Sequence, residues 1–268
     1  MRRHITLWKP VGATPLETVE GWRRLQPELT HTPLTYAGRL DPMADGKLLV
    51  LVGEECKRQR AYMGLDKEYE VDVLFGFESD TSDILGLIER NPLATHPGER
   101  EIQRVLAEEC GTKRLPYPAF SSKTVGGVPL FMHALEGTLA TIEIPTHDET
   151  IYRATLLKTR TVAAANLLKD IEARIAEVTY DPDPRKSMGA DFRRADIRER
   201  WKKALDDSNE TYVIARIRVT AASGTYMRSL AARLGNSLGT NALAFSITRT
   251  RIGRYQPLGP WGFWRHSY

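Results

Sequence analysis

The chain has 268 residues, 41% of them hydrophobic and 27% charged, a composition that argues against a disordered protein. Its formal net charge of +4 weakly favours a polyanionic partner. Two cysteines, Cys56 and Cys110, are too few for a disulfide framework or a metal knuckle, and the apolar run before Lys9 is too short for a signal peptide or a membrane span. We therefore expect a cytoplasmic protein that contacts no membrane.

The hydrophobic pattern predicts a mixed α/β domain. Alternating apolar and polar residues predict strands, and apolar residues three or four apart predict helices. Leu48–Val52 is uniformly apolar, so its pattern fits a buried strand and a buried helical turn equally well. The other predicted elements are, in order, a strand at Ile5–Trp8, a helix at Pro15–Leu25, a strand at Tyr69–Phe75, a helix at Ile102–Glu109, a strand at Thr211–Thr220 and a helix at Ser229–Leu238.

Residues 150–209 differ in texture and predict a helical, basic insertion in the domain. Two amphipathic helices are expected there, separated by the Asp-Pro-Asp-Pro sequence at residues 181–184. From Arg185 to Lys203 there are eight basic and three acidic residues, which fits either a solvated helix face or a surface that contacts RNA. The apolar faces of the two helices are Leu168, Ile171, Ile175 and Val178 in the first, and Ile197, Trp201 and Leu205 in the second.

The last part of the chain is basic without any acidic residue. Between Thr211 and Tyr268 there are eight arginines and no Asp or Glu. Because a guanidinium group binds phosphate and stacks on bases, this tail favours an RNA partner over an ordinary solvated surface. The arginines are Arg216, Arg218, Arg228, Arg233, Arg249, Arg251, Arg254 and Arg265.

Common catalytic signatures are absent from the sequence. It contains no glycine-rich nucleotide-binding loop, no nucleophile elbow and no zinc-protease motif. The histidines and cysteines do not fall at metal-ligand spacing, and residues 80–83 lack the alternate ligands of a calcium loop. We therefore expect neither a metal nor a nucleotide cofactor.

Residues 38–48, with the sequence GRLDPMADGKL, form the most informative motif. Taken alone, an Asp-Pro pair between two glycines usually marks a turn. Here the whole segment resembles the G-x-L-D-P-x-A-x-G-x-L motif of the TruB family of tRNA pseudouridine-55 synthases, in which the aspartate is the catalytic carboxylate. The resemblance implies this role for Asp41.

Further segments resemble the family's motifs in the family's order. The matches together span residues 5–140 and 211–257. They are the K-P-x-G segment at Lys9–Gly12, the K-x-Y strand at Lys67–Tyr69, the T-D-T-x-D turn within Gly76–Gly86, the RNA-gripping loop at Pro118–Gly137, and the S-x-G-T-Y-I-R helix start at Ser223–Leu230.

This resemblance implies a fold and a reaction. The expected fold is α/β (α+β), with a mainly antiparallel central sheet flanked by helices, in one catalytic domain over residues 1–268 without the PUA domain of many relatives. The expected reaction isomerises uridine 55 of a tRNA T-stem-loop after the base is flipped out of its stack. An isomerisation needs no cofactor, and we expect the enzyme to act as a monomer.

The resemblance also implies individual roles. Asp41 would act in its ionised form, as a nucleophile or as a base that takes a sugar proton. Arg228 would favour that ionised form, and Tyr69 would stack on the target base. Lys9 would contact phosphate or orient its own loop. The complete implied set is Asp41, Tyr69 and Arg228 as catalytic residues, and Lys9, Tyr36, Lys123, Tyr226 and Met227 as substrate-binding residues.

The sequence departs from the family pattern, and Tyr36 together with the expected lack of a PUA domain leaves other RNA sites open as alternatives. Tyr36 replaces a histidine five residues before Asp41, so we expect altered RNA packing there, and Arg233 replaces the aspartate of a D-L-G sequence. The chain could modify another tRNA or rRNA site, or be a non-catalytic RNA-binding module. A glycoside hydrolase using Asp41 and Asp45 is a third alternative, but an arginine-rich site suits a phosphate-bearing substrate better.

Overall fold

One large β-sheet organises the molecule. The computed structural model describes residues 3–91, 96–178, 193–206, 209–259 and 261–268. In chain order the elements are β1 (His4–Lys9), α1 (Pro15–Arg23), β2 (Leu34–Ala37), β3 (Ala44–Val52), α2 (Gln59–Met63), β4 (Asp66–Phe75), β5 (Phe77–Ser79), β6 (Ile88–Arg90), α3 (Glu99–Glu108), β7 (Gly111–Pro116), β8 (Thr124–Val125), β9 (Val128–Pro129), α4 (Leu130–Leu135), β10 (Thr146–Ala163), α5 (Ala164–Glu177), α6 (Arg194–Leu205), β11 (Thr211–Ala221), α7 (Met227–Ser237), β12 (Ala242–Leu258) and β13 (Trp261–Ser267).

The sheet has nine strands and is mainly antiparallel. Its central path runs β1-β3-β12-β4-β11-β10-β7, with β2 beside β3 and β13 beside β12. The pairing of β12 with β3 is parallel, and the other strand pairs of this sheet are antiparallel. Together with the flanking helices, this arrangement confirms the predicted fold class.

Sequence-local signals explain where α1 begins. Thr14 and Glu17 form a reciprocal capping box at the start of α1, and Pro15 occupies the first helical position, where a missing N–H costs nothing.

Leu48 and Leu49 have no exposed surface and point into two different hydrophobic clusters, because successive side chains of β3 face opposite sides. The ambiguous apolar run at residues 48–52 is therefore a strand.

The segment 150–209 begins as a strand rather than as a helix. The long strand β10 extends to Ala163, and the two predicted amphipathic helices follow as α5 and α6. Trp201 of α6 is fully buried, and its indole N–H donates to the Ile84 carbonyl at 3.0 Å. The predicted break at residues 181–184 and the basic residues 185–192 lie outside the described residues.

The central strands present an apolar face and a charged face. Val71 of β4 and Ile217 of β11 lie in the same buried cluster as Leu230 and Leu234 of α7, so α7 packs on the apolar face. On the intervening positions, Asp72 of β4 pairs with a β11 arginine. Among the described residues, no helix is long and apolar enough to cross a membrane.

Candidate active site

Residues 38–43 form the loop that connects β2 to β3, called the Asp41 loop below. A buried arginine donates hydrogen bonds to the backbone of this loop and of the strand that follows it. Gly38 turns the chain with a φ of 86°, a conformation that residues with a Cβ rarely adopt. The Asp41 carbonyl accepts the Ala44 N–H at 3.0 Å, which closes the turn. Arg249 of β12, only 1% exposed, donates to the carbonyls of Lys47 at 2.7 Å, Arg39 at 3.2 Å and Gly38 at 3.3 Å. The sequence grouped Arg249 with the arginines expected to bind RNA. In the structure its hydrogen bonds instead fix the backbone of this loop.

A second loop, at the end of β1, supports the Asp41 loop from the side. Lys9 has no exposed surface, and its ammonium donates to the carbonyls of Pro10 at 2.9 Å and Ala13 at 2.8 Å. The Gly12 N–H donates to the Pro42 carbonyl at 2.8 Å, and a Cβ on Gly12 would lie 1.7 Å from the Glu177 carbonyl. Of the two roles considered for Lys9, the geometry supports orientation of its own loop.

Arg228 connects the Asp41 loop to α7 and to the backbone at Thr81 and Phe120. It is the second residue of α7, and its side chain is 6% exposed. Its Nε donates to Asp41 Oδ2 at 2.6 Å, and its two amino groups donate to the carbonyls of Thr81 at 2.7 Å and Phe120 at 2.9 Å. The Asp41 side chain is 44% exposed. The predicted arginine–aspartate pair is thus formed by a fixed cation and a carboxylate open to solvent.

A second carboxylate shares this arginine. Asp83 Oδ2 lies 3.7 Å from Arg228 Nε, and Asp83 Oδ1 accepts the Thr81 hydroxyl at 2.7 Å and the Leu85 N–H at 2.9 Å. Burial raises the pKa of Asp83 to about 6. The sequence placed Asp83 in a family turn but assigned it no role. Its proximity to Arg228 depends on a contact between distant parts of the chain, which no local pattern reveals.

Tyr69 approaches the Asp41 loop from the sheet. On β4 it lies opposite Arg249 of β12, and its partly buried phenol interacts electrostatically with Arg249 and Asp41. A tyrosine phenol is neutral near pH 7 at its ordinary pKa, and burial raises the pKa of Tyr69 further. Tyr69 therefore lies beside Arg249, which contacts the Asp41 loop, while Arg228 contacts Asp41 directly.

The remaining predicted binding residues divide between an aromatic group and the core. Tyr226, at the N-cap of α7, packs edge-on against Tyr117 with 6.3 Å between ring centroids, and Lys123 Nζ lies 5.2 Å from the Tyr117 centroid. Met227 is 5% exposed within the main hydrophobic cluster. Tyr36 packs against the cluster of Val19, Leu48 and Val50. Packing of this kind gives Met227 and Tyr36 a structural role that the sequence did not indicate.

Several cations of the basic segment have partners inside the protein. Arg193 pairs with Asp80 at 2.6 Å and lies 5.3 Å from the Phe120 ring centroid. Arg194 donates to the Val178 carbonyl at 2.9 Å, and Lys202 lies 3.5 Å from a Glu172 carboxylate oxygen. Contact of this segment with RNA, proposed through Arg193, Arg194, Lys202 and Lys203, stays a prediction. In the described ranges, no group of three or more His, Cys, Asp or Glu side chains could hold a metal ion.

Similarity to solved structures supports the fold. The chain matches a chain of a solved Cbf5-Nop10-Gar1 complex with a TM-score of 0.54 and 18% identity, over 93% of this chain and 48% of that chain. A chain of the archaeal box H/ACA sRNP Nop10-Cbf5 complex matches with a TM-score of 0.51 and 18% identity, over 93% and 47% of the two chains. At this level of identity the similarity concerns the fold alone.

Sequence similarity identifies the family. The model for TruB family pseudouridylate synthase (N terminal domain) matches residues 28–180, more than half of the chain. The tRNA pseudouridine synthase B of Bacillus cytotoxicus is 27% identical over 94% of this chain and 66% of its own length. Those of Deinococcus deserti and Thermus thermophilus are each 28% identical, over 74% and 71% of their own lengths. The chain thus spans about two-thirds of the length of these relatives, and it belongs to the TruB family of pseudouridylate synthases.

Proposed function

We propose that this protein is a tRNA pseudouridine synthase that converts uridine 55 of the T-loop into pseudouridine, with Asp41 as the reacting carboxylate. The observation that carries the proposal is the pairing of Asp41 with Arg228 at 2.6 Å in a chain of this family. Arg228 is buried and makes a hydrogen bond from each of its three side-chain nitrogens, whereas Asp41 is 44% exposed. A positioned anion that substrate can reach is what the reaction requires.

The reaction exchanges one bond of the nucleotide for another. The bond from ribose C1′ to uracil N1 breaks, the base turns, and a bond from C1′ to C5 forms, while the proton on C5 is lost and N1 gains a proton. An ionised Asp41 serves this exchange by attacking C1′ or by taking a sugar proton. The adjacent Arg228 guanidinium favours the ionised form of the carboxylate.

Tyr69 and the aromatic group beside α7 are proposed to hold the flipped base. The Tyr69 phenol, opposite the arginine that contacts the Asp41 loop, offers a stacking face and a hydroxyl that can exchange a proton with the base. Stacking on aromatic faces is the usual way that proteins hold unpaired bases. Tyr226 and Lys123 both contact Tyr117, so both are proposed to contact the RNA around the target nucleotide.

Both cysteines are free, which suits a reducing compartment. We propose that the enzyme acts on tRNA in the cytoplasm.

Carbodiimide mapping of pseudouridine on an unmodified tRNA pool tests the proposal. After incubation with the protein, we expect a new reverse-transcription stop at position 55 and at no other position. A stop at a different position, or in rRNA only, would assign the chain to another RNA site. No stop in any RNA, with tRNA still bound in a filter assay, would make the chain a non-catalytic RNA-binding module.

A further inference from the structure

The first turn of α7, which carries Arg228, is anchored by a buried glutamate from the sheet. The N-cap of α7 is Tyr226, and no side chain of the cap itself satisfies the exposed helix amides. Glu149 of β10 supplies an acceptor instead: its Oε1 accepts the Tyr226 N–H at 3.2 Å. The Tyr226 carbonyl accepts the Leu230 N–H at 3.0 Å, so the Tyr226 backbone is held on both sides.

A partly exposed arginine offsets the charge of this glutamate. The Glu149 side chain is 2% exposed, and Arg233, further along α7, lies 3.4 Å from its Oε2. Arg233 Nε also donates to Glu109 Oε2 at 2.9 Å, and Glu109 pairs with Lys113 at 2.7 Å. Two buried carboxylates facing position 233 explain why an arginine occupies the place of the family's aspartate. An aspartate there would add a third negative charge to a site of low dielectric.

Glu149 also connects α7 to the aromatic group. His147 Nε2 lies 3.4 Å from Glu149 Oε1 and 3.1 Å from the Gly224 carbonyl. The His147 ring stacks on Tyr117 with 3.9 Å between centroids and 16° between planes. A single carboxylate oxygen therefore contacts both the backbone of Tyr226 and the ring that supports Tyr117.

From these contacts we propose that Glu149 is a positioning residue for the reaction. It fixes the first turn of α7, and through it the Arg228 guanidinium that holds Asp41, and it keeps that turn in register with the Tyr117–His147 stack. Arg233 makes the buried charge of Glu149 tolerable. The inference rests on the proposed function, since the step that Arg228 serves is the proposed isomerisation.

Glu109 provides a matched control for Glu149. Both glutamates are buried, with side chains 5% and 2% exposed, and both pair with Arg233. Replacement of either by glutamine removes one negative charge and leaves Arg233 paired with the other. Glu149 additionally contacts Tyr226 and His147, whereas Glu109 makes its other ion pair with Lys113, on β7.

The test compares Glu149→Gln, Glu149→Ala and Glu109→Gln by single-turnover kinetics at saturating tRNA, tRNA affinity, and amide hydrogen exchange. A charge-assisted hydrogen bond is about twice as strong as a neutral one, so Glu149→Gln should slow turnover about tenfold and Glu149→Ala more, with affinity changed less than about twofold. The amides of Tyr226 and Leu230 should exchange faster in both Glu149 variants. Glu109→Gln should leave turnover and these two amides near wild type.

Equal turnover and equal exchange at these amides in Glu149→Gln and Glu109→Gln would overturn the inference, and this pair decides the question even if Glu149→Ala does not fold. The exchange measurement needs no activity. If the wild-type protein formed no pseudouridine, the proposed function would fail, while faster exchange confined to the Glu149 variants would still establish the anchor.

Discussion

The Arg228 side chain is a buried cation shared by two carboxylates, those of Asp41 and Asp83. Burial alone would lower the pKa of its guanidinium, but Asp41 and Asp83 together raise that pKa above its usual value. The cation is therefore permanent, and its donors reach Asp41 and the carbonyls of Thr81 and Phe120. A residue held in this way can orient a carboxylate without moving during the reaction.

Replacement of Arg228 should separate chemistry from binding. Arg228→Met leaves Asp41 and Asp83 without their shared cation, so single-turnover rate constants should fall by about a hundredfold or more. Arg228→Lys retains the charge but not the planar fork, and should give an intermediate rate. Fluorescence anisotropy should show tRNA affinity within a few-fold of wild type for both. Arg104→Met, which alters an exposed ion pair on α3, is the control.

A loss of tRNA binding with normal single-turnover chemistry in Arg228→Met would contradict this account. Arg228 would then be a phosphate contact, and the short distance to Asp41 would have no catalytic meaning.

At the scale of elements, regular periodicity made some parts of the fold predictable and bulges concealed others. The strands β1, β4 and β11 and the helices α1, α3, α5, α6 and α7 were predicted from apolar spacing. The longest strands, β10 and β12, were not. Each contains two register shifts, and every shift moves the following side chains to the opposite face, which breaks the alternation on which a strand prediction depends.

The residues of the candidate site also divide into those that the sequence predicted and those that it did not. Asp41 and Arg228 were predicted because each lies in a motif that resembles the family's. Asp83, Arg249 and Glu149 were not assigned roles, since each acquires its role from a partner far away in the chain. In the sequence, Arg249 looks like the other arginines between Thr211 and Tyr268. In the structure, the parallel pairing of β12 with β3 places it in the interior beside the Asp41 loop.

At the scale of the whole molecule, two lysines are folded into the interior. Lys9 is fully buried, and Lys67 is 4% exposed with its ammonium donating to the Met63 carbonyl at 2.9 Å and the Ser223 hydroxyl at 3.0 Å. Burial lowers the pKa of each lysine from 10.5 to about 8. Folding therefore disfavours the charged form of both lysines at neutral pH.

The free energy of unfolding should consequently rise with pH above neutrality. Between about pH 8 and 10.5 the unfolded chain binds more protons than the folded one, so raising the pH removes a cost from the folded state. From pH 7.5 to 9 each lysine should contribute about 1 kcal/mol to the rise. Urea unfolding at these two pH values measures it, and Lys67→Met should abolish about half of it. A flat or falling curve in the wild-type protein would show that these lysines are not buried as described.

The most direct test of the central claim is the rate of pseudouridine formation by Asp41→Asn in a single turnover, with Asp45→Asn as its matched control. Both changes remove one carboxylate charge from the same loop-and-strand segment, but Asp45 accepts the Thr248 hydroxyl at 2.6 Å, whereas Asp41 pairs with Arg228. We predict that Asp41→Asn binds tRNA with near wild-type affinity and forms no pseudouridine, and that Asp45→Asn remains active. Appreciable pseudouridine formation by pure Asp41→Asn would contradict the assignment of Asp41 as the reacting carboxylate.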